Sequence, residues 1–504
     1  MFKSYFKIAF RSLLKYKGSS FVNIIGLAVG FSCSIIIFLY LQNELTYDSY
    51  HENADRIYRI SSTFVTSGEP VRFAIASPAL GPRLKEEFPE VEEYVRIITL
   101  PQMLFVQKER DIIFYEEHVV LADPSVFKVF TYEFVKGNPA TCLNEPQSIV
   151  LTEELAKKYF GKEDPIGKIL NVDNDDDMKV TGVIKAPPQN SHLLIDAIAS
   201  YSSWDGSKEA LTWPMFEIVG FTYVLFPENY DLATFYEKWP AFYEKYCAKD
   251  GERYGQVFEP NFIKLEDIRY GSMPFRGDVE VGSRSYLYAF FFIGIFILVL
   301  ACINTINMTT AHAATRTKEI GIKKVLGSDR RSLILQLLGE SLFVTFLALL
   351  AAFVLVEIIV MVIPVEQLLN FEIQLNLFSN LLLLFGSFGL AVFIGVTSGL
   401  YPAFYISSFQ PAQAMSGTFR SGKKGLFIRR TLVTSQFVIS IGVVVMMLFM
   451  NAQLDFMRNK DLGFKKENVL IIPIRDNSVA QGVPSLNEEL LKYPEVMSVA
   501  TGSR

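Results

Sequence analysis

The sequence predicts a membrane α-helical bundle of about five spans carrying a large extracytoplasmic α/β (α+β) domain, and three observations carry that prediction. The 504 residues are 50% hydrophobic and 20% charged, too apolar for an ordinary soluble protein and too charged for a compact helical channel. The apolar residues gather in runs of about 20, the length that crosses a hydrocarbon layer roughly 30 Å thick. Between the first two runs lie about 240 residues with no such run, enough to bury a core of their own. The net charge of -5 decides little, because basic residues collect in a few segments and acidic ones elsewhere. No basic patch is interleaved with aromatics, which argues against a nucleic-acid partner.

Residues 1–42 hold an amphipathic segment and the first span. Lys3, Lys7, Arg11, Lys15 and Lys17 accompany Phe2, Phe6, Phe10 and Leu14, a pattern that suits a helix lying on membrane lipid. Phe21 to Leu41 then spans the bilayer. The run is too long for a secretory signal and lacks a small-x-small site before Gln42, so it reads as an uncleaved anchor. Gly26 and Gly30 form a GxxxG pair that lets another helix approach closely.

Residues 43–284 read as the α/β domain. Tyr58, Ile60 and Phe64 alternate on one face of a strand. Ser77-Pro78 opens a helix with Leu80, Leu84 and Phe88 at i, i+4 spacing, and Pro89 ends it. Thr152 caps a helix with Glu153 and Glu154 in its first turn, Lys157 and Lys158 in its last, and Gly161 beyond. Two strands come next, at Lys168 to Val172 and Met178 to Ile184. The acidic run Asp173 to Asp177 between them lacks the Gly and distal Glu of a calcium loop and reads as a solvated hairpin tip.

Nothing in the domain forms a catalytic or metal-ligating constellation. His51, His118 and His192 are scattered without a shared spacing, His312 lies at a membrane exit, and each reads as structural or superficial. Cys33 and Cys302 lie inside apolar runs as small core residues. Cys142 and Cys247 fall in the aqueous domain, where an oxidising compartment would permit a bond but no short spacing calls for one, nor for zinc. HExxH, GxSxG and GxxxxGK[ST] are all missing from the sequence. Ser421 to Gly425 (SGKKG) has neither the length nor the hydroxyl of a phosphate loop. No cofactor is expected on this chain.

Residues 285–412 carry three further spans. Tyr286 to Ile303 is the second, ending near Asn304 to Asn307. Arg316, Lys318, Lys323, Lys324, Arg330 and Arg331 come directly after it, and such clusters stay on the cytoplasmic side. Within this segment Glu319 and Lys323 stand at i, i+4, while Ile322, Val325 and Leu326 form an apolar stripe. Gly327 supplies a helix stop, and Ser328 is placed to cap the next helix. The pattern is a short amphipathic helix held between two spans, and read alone it is also a basic connector against lipid headgroups. Leu337 to Ile363 is the third span, closed by Pro364. Val365 to Gln374 carries Glu366 and Glu372 and no Lys or Arg, as an outside loop does. Leu377 to Phe404 is the fourth span, with Gly395 and Gly399 a second close-approach pair and Tyr401-Pro402 kinking or ending the helix.

Residues 413–504 begin again. Arg420, Lys423, Lys424, Arg429 and Arg430 mark the cytoplasm, and Thr431 to Met450 is the fifth span. The order of basic segment, span and strand repeats as Arg429-Arg430, the fifth span and Val469 to Ile474. Phe88-Pro-Glu-Val91 is echoed by Tyr493-Pro-Glu-Val496. The second copy stops far short of the first, so the sequence reads as part of a longer two-copy chain. Apart from Glu357 near an outer end, the spans are expected to lack the buried ionisable groups of an ion path.

The run TRTKEIGIKKVLGSDRRSLILQLLGESL resembles the cytoplasmic loop of FtsX-type and macrolide-exporter (MacB-like) ABC transporter permeases. FGKEDPIGKIL, the strand ending VTGVIKAPP, and NSHL resemble the periplasmic core domain of the MacB-like members. The resemblance implies a permease subunit of a bacterial inner membrane, N-terminus cytoplasmic and large domain periplasmic. It implies that a separate ABC ATPase binds the ATP, and that Glu319, Ile320, Gly321, Ile322, Lys323, Lys324, Val325, Leu326 and Gly327 form the loop that ATPase pushes. Mechanotransmission for efflux or antimicrobial-peptide export, pairing as a homodimer or pseudo-dimer, and a periplasmic adaptor with an outer-membrane channel are further implications. The other reading is a membrane-anchored regulator of an envelope enzyme or of an antimicrobial-peptide response.

Overall fold

A computed structural model describes residues 10–502 apart from 12, 67, 101, 272–281, 312–319, 366–374, 376–379, 408–422, 461–467 and 473–481. The chain divides into two compact units: Met1–Leu45 with Ser283–Phe464, and Thr46–Gly282 with Lys465–Arg504.

The first unit is helical. Lys17–Leu45, Arg284–Ala311, Arg330–Val362, Leu381–Ser407 and Lys423–Asn459 are helices, each containing a stretch long and apolar enough to cross a membrane. The first span packs between the second and third, and the third packs along the fourth. Their common core is built from Leu27, Phe31, Ile35, Ala301, Ala348, Ala352 and Ala391. Among the described residues the fifth lies beside the second, and the most apolar stretch of that helix has no buried residues.

The helices outrun the apolar runs that announce them. The second does not end near Asn304 to Asn307 but continues to Ala311, where Thr305, Thr309 and Thr310 donate to the carbonyls four residues back and so sit inside a helix without stranding a hydroxyl. Pro402 does not end the fourth helix, which runs to Ser407. Proline removes one backbone bond, and packing of Ala403 with Ile320, Leu333 and Leu337 holds the turn beyond it. Glu366 and Glu372 of the expected outer loop, and most of the N-terminal amphipathic segment, lie outside the described residues.

The second unit is a mixed α/β domain on a 13-stranded sheet. Ile57–Val65 pairs antiparallel with both Phe221–Leu225 and Val257–Lys264. In mid-sheet Val119–Ala122 runs parallel to Ala197–Ser200, and Ser148–Thr152 parallel to Asp176–Ile184. Tyr58, Ile60 and Phe64 share one core cluster as their alternation predicts, while Ile57 enters another; the strand is buried on both faces. The helix Glu153–Phe160 is capped by Thr152, whose side chain accepts from Leu155 N–H, and Gly161 comes after it at φ +64. Ile169–Val172 and Asp176–Ile184 form the expected hairpin, with Asp173 and Asn174 in its turn at positive φ. Cys142 and Cys247 are free and buried in separate clusters.

The second copy differs from its expectation. Val469 to Ile472 pair with no strand among the described residues and are exposed, because a strand needs a neighbour and an apolar face to cover. The helix Val483–Leu490 is present, with no buried residue.

Candidate functional site

The segment singled out by its sequence is a two-faced structure at one end of the bundle. Residues 320–325 are helical, so positions 320, 323 and 324 share one face while 322, 325 and 326 share another. Ile320 is buried with Leu333, Leu337 and Ala403, and Gly321 is buried beside it. Lys323 Nζ donates to Gln336 Oε1 at 3.2 Å, and Gln336 Nε2 donates to Glu340 Oε1 at 2.9 Å. Lys324 Nζ donates to the Ser407 carbonyl at 2.7 Å. On the other face Ile322, Val325 and Leu326 are 54%, 63% and 79% exposed. Glu319 and its i, i+4 pairing lie outside the described residues.

The stop is a left-handed glycine turn. Gly327 has φ +92, its N–H bonds Lys324 O at 3.1 Å, and Ser328 N–H bonds Lys323 O at 3.0 Å. That pair of bonds is a Schellman closure. It occupies the backbone of Ser328, so Ser328 is not the cap of the third span: Asp329, with extended ψ 158, accepts from Ser332 N–H instead.

The two glycine pairs lie where helices meet. A methyl built on Gly30 would come within 2.9 Å of the Ala301 Cβ, and one on Gly26 within 3.1 Å of Asn304 Nδ2. On Gly395 and Gly399 it would come within 2.8 Å of Leu342 and of Ser341, whose hydroxyl donates to the Gly395 carbonyl at 2.8 Å. Both pairs therefore sit on seams between neighbouring spans.

Besides Glu357, the apolar run of the third span holds a half-buried ionisable group. Glu340 lies within the third span and lines a cavity of about 80 Å³ together with Tyr16, Asn23, Thr305, Thr309 and Ser341. A carboxylate in an apolar run is a legible signal, and its tie through Gln336 to Lys323 is not.

The α/β domain holds a second cluster that spacing does not reveal. Asp48 Oδ1 accepts from Ser191 Oγ at 3.1 Å and His192 N–H at 3.0 Å, and His192 Nδ1 stands 3.0 Å from it. His192 Nε2 lies 2.7 Å from the Tyr223 hydroxyl. His51 Nδ1 accepts from Thr131 N–H at 3.0 Å, and burial pushes its imidazole down to about 4. Asp48, His51, His192 and Tyr223 are all buried, which denies them to a substrate and makes the cluster structural. His118 is exposed, and His312 lies outside the described residues. Among the described residues no three His, Cys, Asp or Glu side chains stand as a metal site.

Comparisons with known proteins agree with this organisation. The family model for the MacB-like periplasmic core domain matches residues 20–238, and that for the FtsX-like permease C-terminal domain matches residues 291–411. An uncharacterized ABC transporter permease, YvrN of Bacillus subtilis, is 22% identical over 81% of this chain and 98% of its own length. The macrolide export ATP-binding/permease protein MacB of Bdellovibrio bacteriovorus is 25% identical over 53% of this chain, which spans only 38% of that protein. A solved domain of a putative permease from Porphyromonas gingivalis aligns with 47% of this chain and 97% of its own, at 17% identity and a TM-score of 0.40. The two family models together take in both the α/β domain and the membrane helices, and the chain belongs to the MacB-like, FtsX-type ABC transporter permeases.

Proposed function

We propose that this chain is the membrane subunit of an ABC transporter, coupling ATP hydrolysis on a separate ATPase subunit to conformational change of its α/β domain, for export or efflux by mechanotransmission. The observation that carries this reading is the two-faced helix at 320–326. One face is fastened to the bundle through Ile320, Lys323 and Lys324, and the other presents Ile322, Val325 and Leu326 uncovered. An apolar helix face of this kind fills a groove on a partner. The basic residues at this end, Lys323, Lys324, Arg330 and Arg331 together with Lys423, Lys424, Arg429 and Arg430 after the fourth span, support a cytoplasmic location for it in a bacterial inner membrane. The N-terminus is then cytoplasmic and the α/β domain periplasmic. The MacB relative names ATP-binding and permease functions together, which supports pairing of this permease with an ABC ATPase. Two permease halves, as a homodimer or pseudo-dimer, and a periplasmic adaptor with an outer-membrane channel complete the proposed assembly.

Leu326→Asp tests the reading. The side chain is 79% exposed, so the substitution leaves the bundle intact. An unpaired charge in a docked contact costs about 3 kcal/mol, roughly a hundredfold in affinity. The expected result is an inserted, folded permease that no longer co-purifies with its ATPase. Full recruitment and full transport by Leu326→Asp would make the segment an ordinary lipid-facing connector.

A further inference from the structure

We infer that Lys324 is a positioning residue for coupling: it fastens the short helix to the end of the fourth span, so that a push on the helix is delivered into the third and fourth spans together. The inference rests on the docking reading and adds the route by which force leaves the helix.

Ser407 is the last described residue of the fourth span's helix and is fully buried. Its carbonyl receives the Lys324 ammonium at 2.7 Å, and its hydroxyl, which donates to Phe404 O, lies 3.4 Å from Arg330 Nε. Charge-assisted bonds of this kind are short and about twice as strong as neutral ones. Ile320, one turn before Lys324, packs with Ala403, one turn before Ser407. Three contacts therefore hold the helix and the start of the third span against the end of the fourth. The chain joins the short helix to the third span through the Gly327 turn and to the second through residues 312–319, so the link to the fourth is made by side chains.

Beyond the clasp, the third and fourth spans are fitted to each other along their length. Gly395 and Gly399 approach Leu338, Ser341, Leu342 and Thr345, Ser341 bonds the Gly395 carbonyl, and Phe346 meets Phe388 with ring centroids 4.9 Å apart. Packed helices with so little free space shift as a unit. Turning the short helix on Gly327 without moving the fourth span would require the Lys324 bond to break.

The test uses the full chain in nanodiscs with the ATPase that co-purifies with it. Lys324→Met keeps the length of the stem and removes the charge; Lys324→Arg keeps the charge. Lys324→Met is expected to retain ATPase recruitment within about twofold and to lower permease-dependent ATP hydrolysis about tenfold, with Lys324→Arg restoring it. Amide exchange at Phe404 to Ser407, measured without any ATPase, should rise about tenfold in Lys324→Met, as fits loss of one charged hydrogen bond. Unchanged coupling with unchanged exchange would overturn the inference. So would a loss of recruitment matching the loss of hydrolysis, because Lys324 would then be a docking contact. The exchange measurement reads the clasp independently of docking. Failure of Leu326→Asp to affect recruitment would sink the docking reading, while an unchanged exchange rate would sink the clasp.

Discussion

The α/β domain and the membrane bundle are held together by different means. In the domain, Phe88 stacks on Phe235 with centroids 4.5 Å apart, Phe235 lies 5.9 Å from Trp239, and Trp239 lies 5.0 Å from Phe242. Arg96 grips both oxygens of Asp123 at 2.8 Å with neither group in open water. In the bundle, glycine, alanine and serine stand at the tight seams between spans, and large side chains such as Phe385 and Phe393 are exposed. The solvent explains the contrast. Water rewards each apolar surface withdrawn from it, whereas hydrocarbon gives no such reward between helices, and only close fit and backbone-level hydrogen bonds remain.

The sharpest way to separate the two regimes is the same substitution in each. Phe235→Ala removes a fully buried ring from the aromatic stack and should destabilise the domain by about 3–5 kcal/mol. Phe385→Ala removes a ring that is 67% exposed and should stay within about 0.5 kcal/mol. Trp204, Trp213 and Trp239 all lie in the domain, so tryptophan fluorescence during thermal unfolding of the full chain reports on that unit, and loss of helical circular dichroism reports on the bundle. Equal losses from the two substitutions would erase the distinction between domain and bundle.

A smaller effect belongs to the domain's buried polar cluster. His51 accepts a hydrogen bond from Thr131 N–H, which requires an unprotonated Nδ1. Burial lowers its pKa from 6.5 to about 4; Asp48 opposes that shift and His192 adds to it, while Tyr50 and Tyr132 face it through their rings. The unfolded chain binds the proton more readily, so stability is full above the unfolded value and is lost as pH falls from about 6.5 to about 4. The loss reaches about 3 kcal/mol. Unfolding midpoints measured across that window should fall, and His51→Asn, whose side-chain oxygen can take the same N–H, should flatten the curve. An unchanged slope in His51→Asn would assign the acid sensitivity to other groups.

What is readable in the sequence divides along the same line. The five spans, the Thr152 cap and the hairpin at Asp173 to Asp177 are legible because each is written within one turn or one run of residues. The Gly327 stop is legible for the same reason. Ser328 has the residue type of a cap and is not one, because the Schellman closure that uses its backbone depends on the bonds of both its neighbours. Glu340 is visible as a charge in an apolar run, yet nothing near it in the sequence says what it meets. The Lys324 bond to Ser407, the packing of Ile320 on Ala403 and the meeting of His192 with Asp48 join residues tens of positions apart, and no local pattern encodes them. Of the strand expected at Val469 to Ile474, the described residues Val469 to Ile472 have the right residue types and pair with no described strand.

The smallest predicted effect probes the bundle by its own rule. Gly30 faces the Ala301 side chain so closely that an added methyl would stand 2.9 Å from its Cβ, inside ordinary carbon–carbon contact. Gly30→Ala must therefore push the first and second spans apart or distort one of them, at a cost of about 1–2 kcal/mol. Gly442 on the fifth helix has nothing within 4 Å of such a methyl. Gly442→Ala should be neutral or slightly favourable, since alanine is the better helix former. Cys302 gives the readout: it is half-buried in the second span, one residue from Ala301, and its labelling by a small thiol reagent reports how often that seam opens. In a chain whose other three cysteines are replaced, Gly30→Ala should raise the labelling rate about tenfold, in line with that cost, and Gly442→Ala should leave it unchanged. Equal rates in the two variants would mean that the glycine at position 30 is incidental and that the first and second spans are joined by their larger side chains, as the domain is.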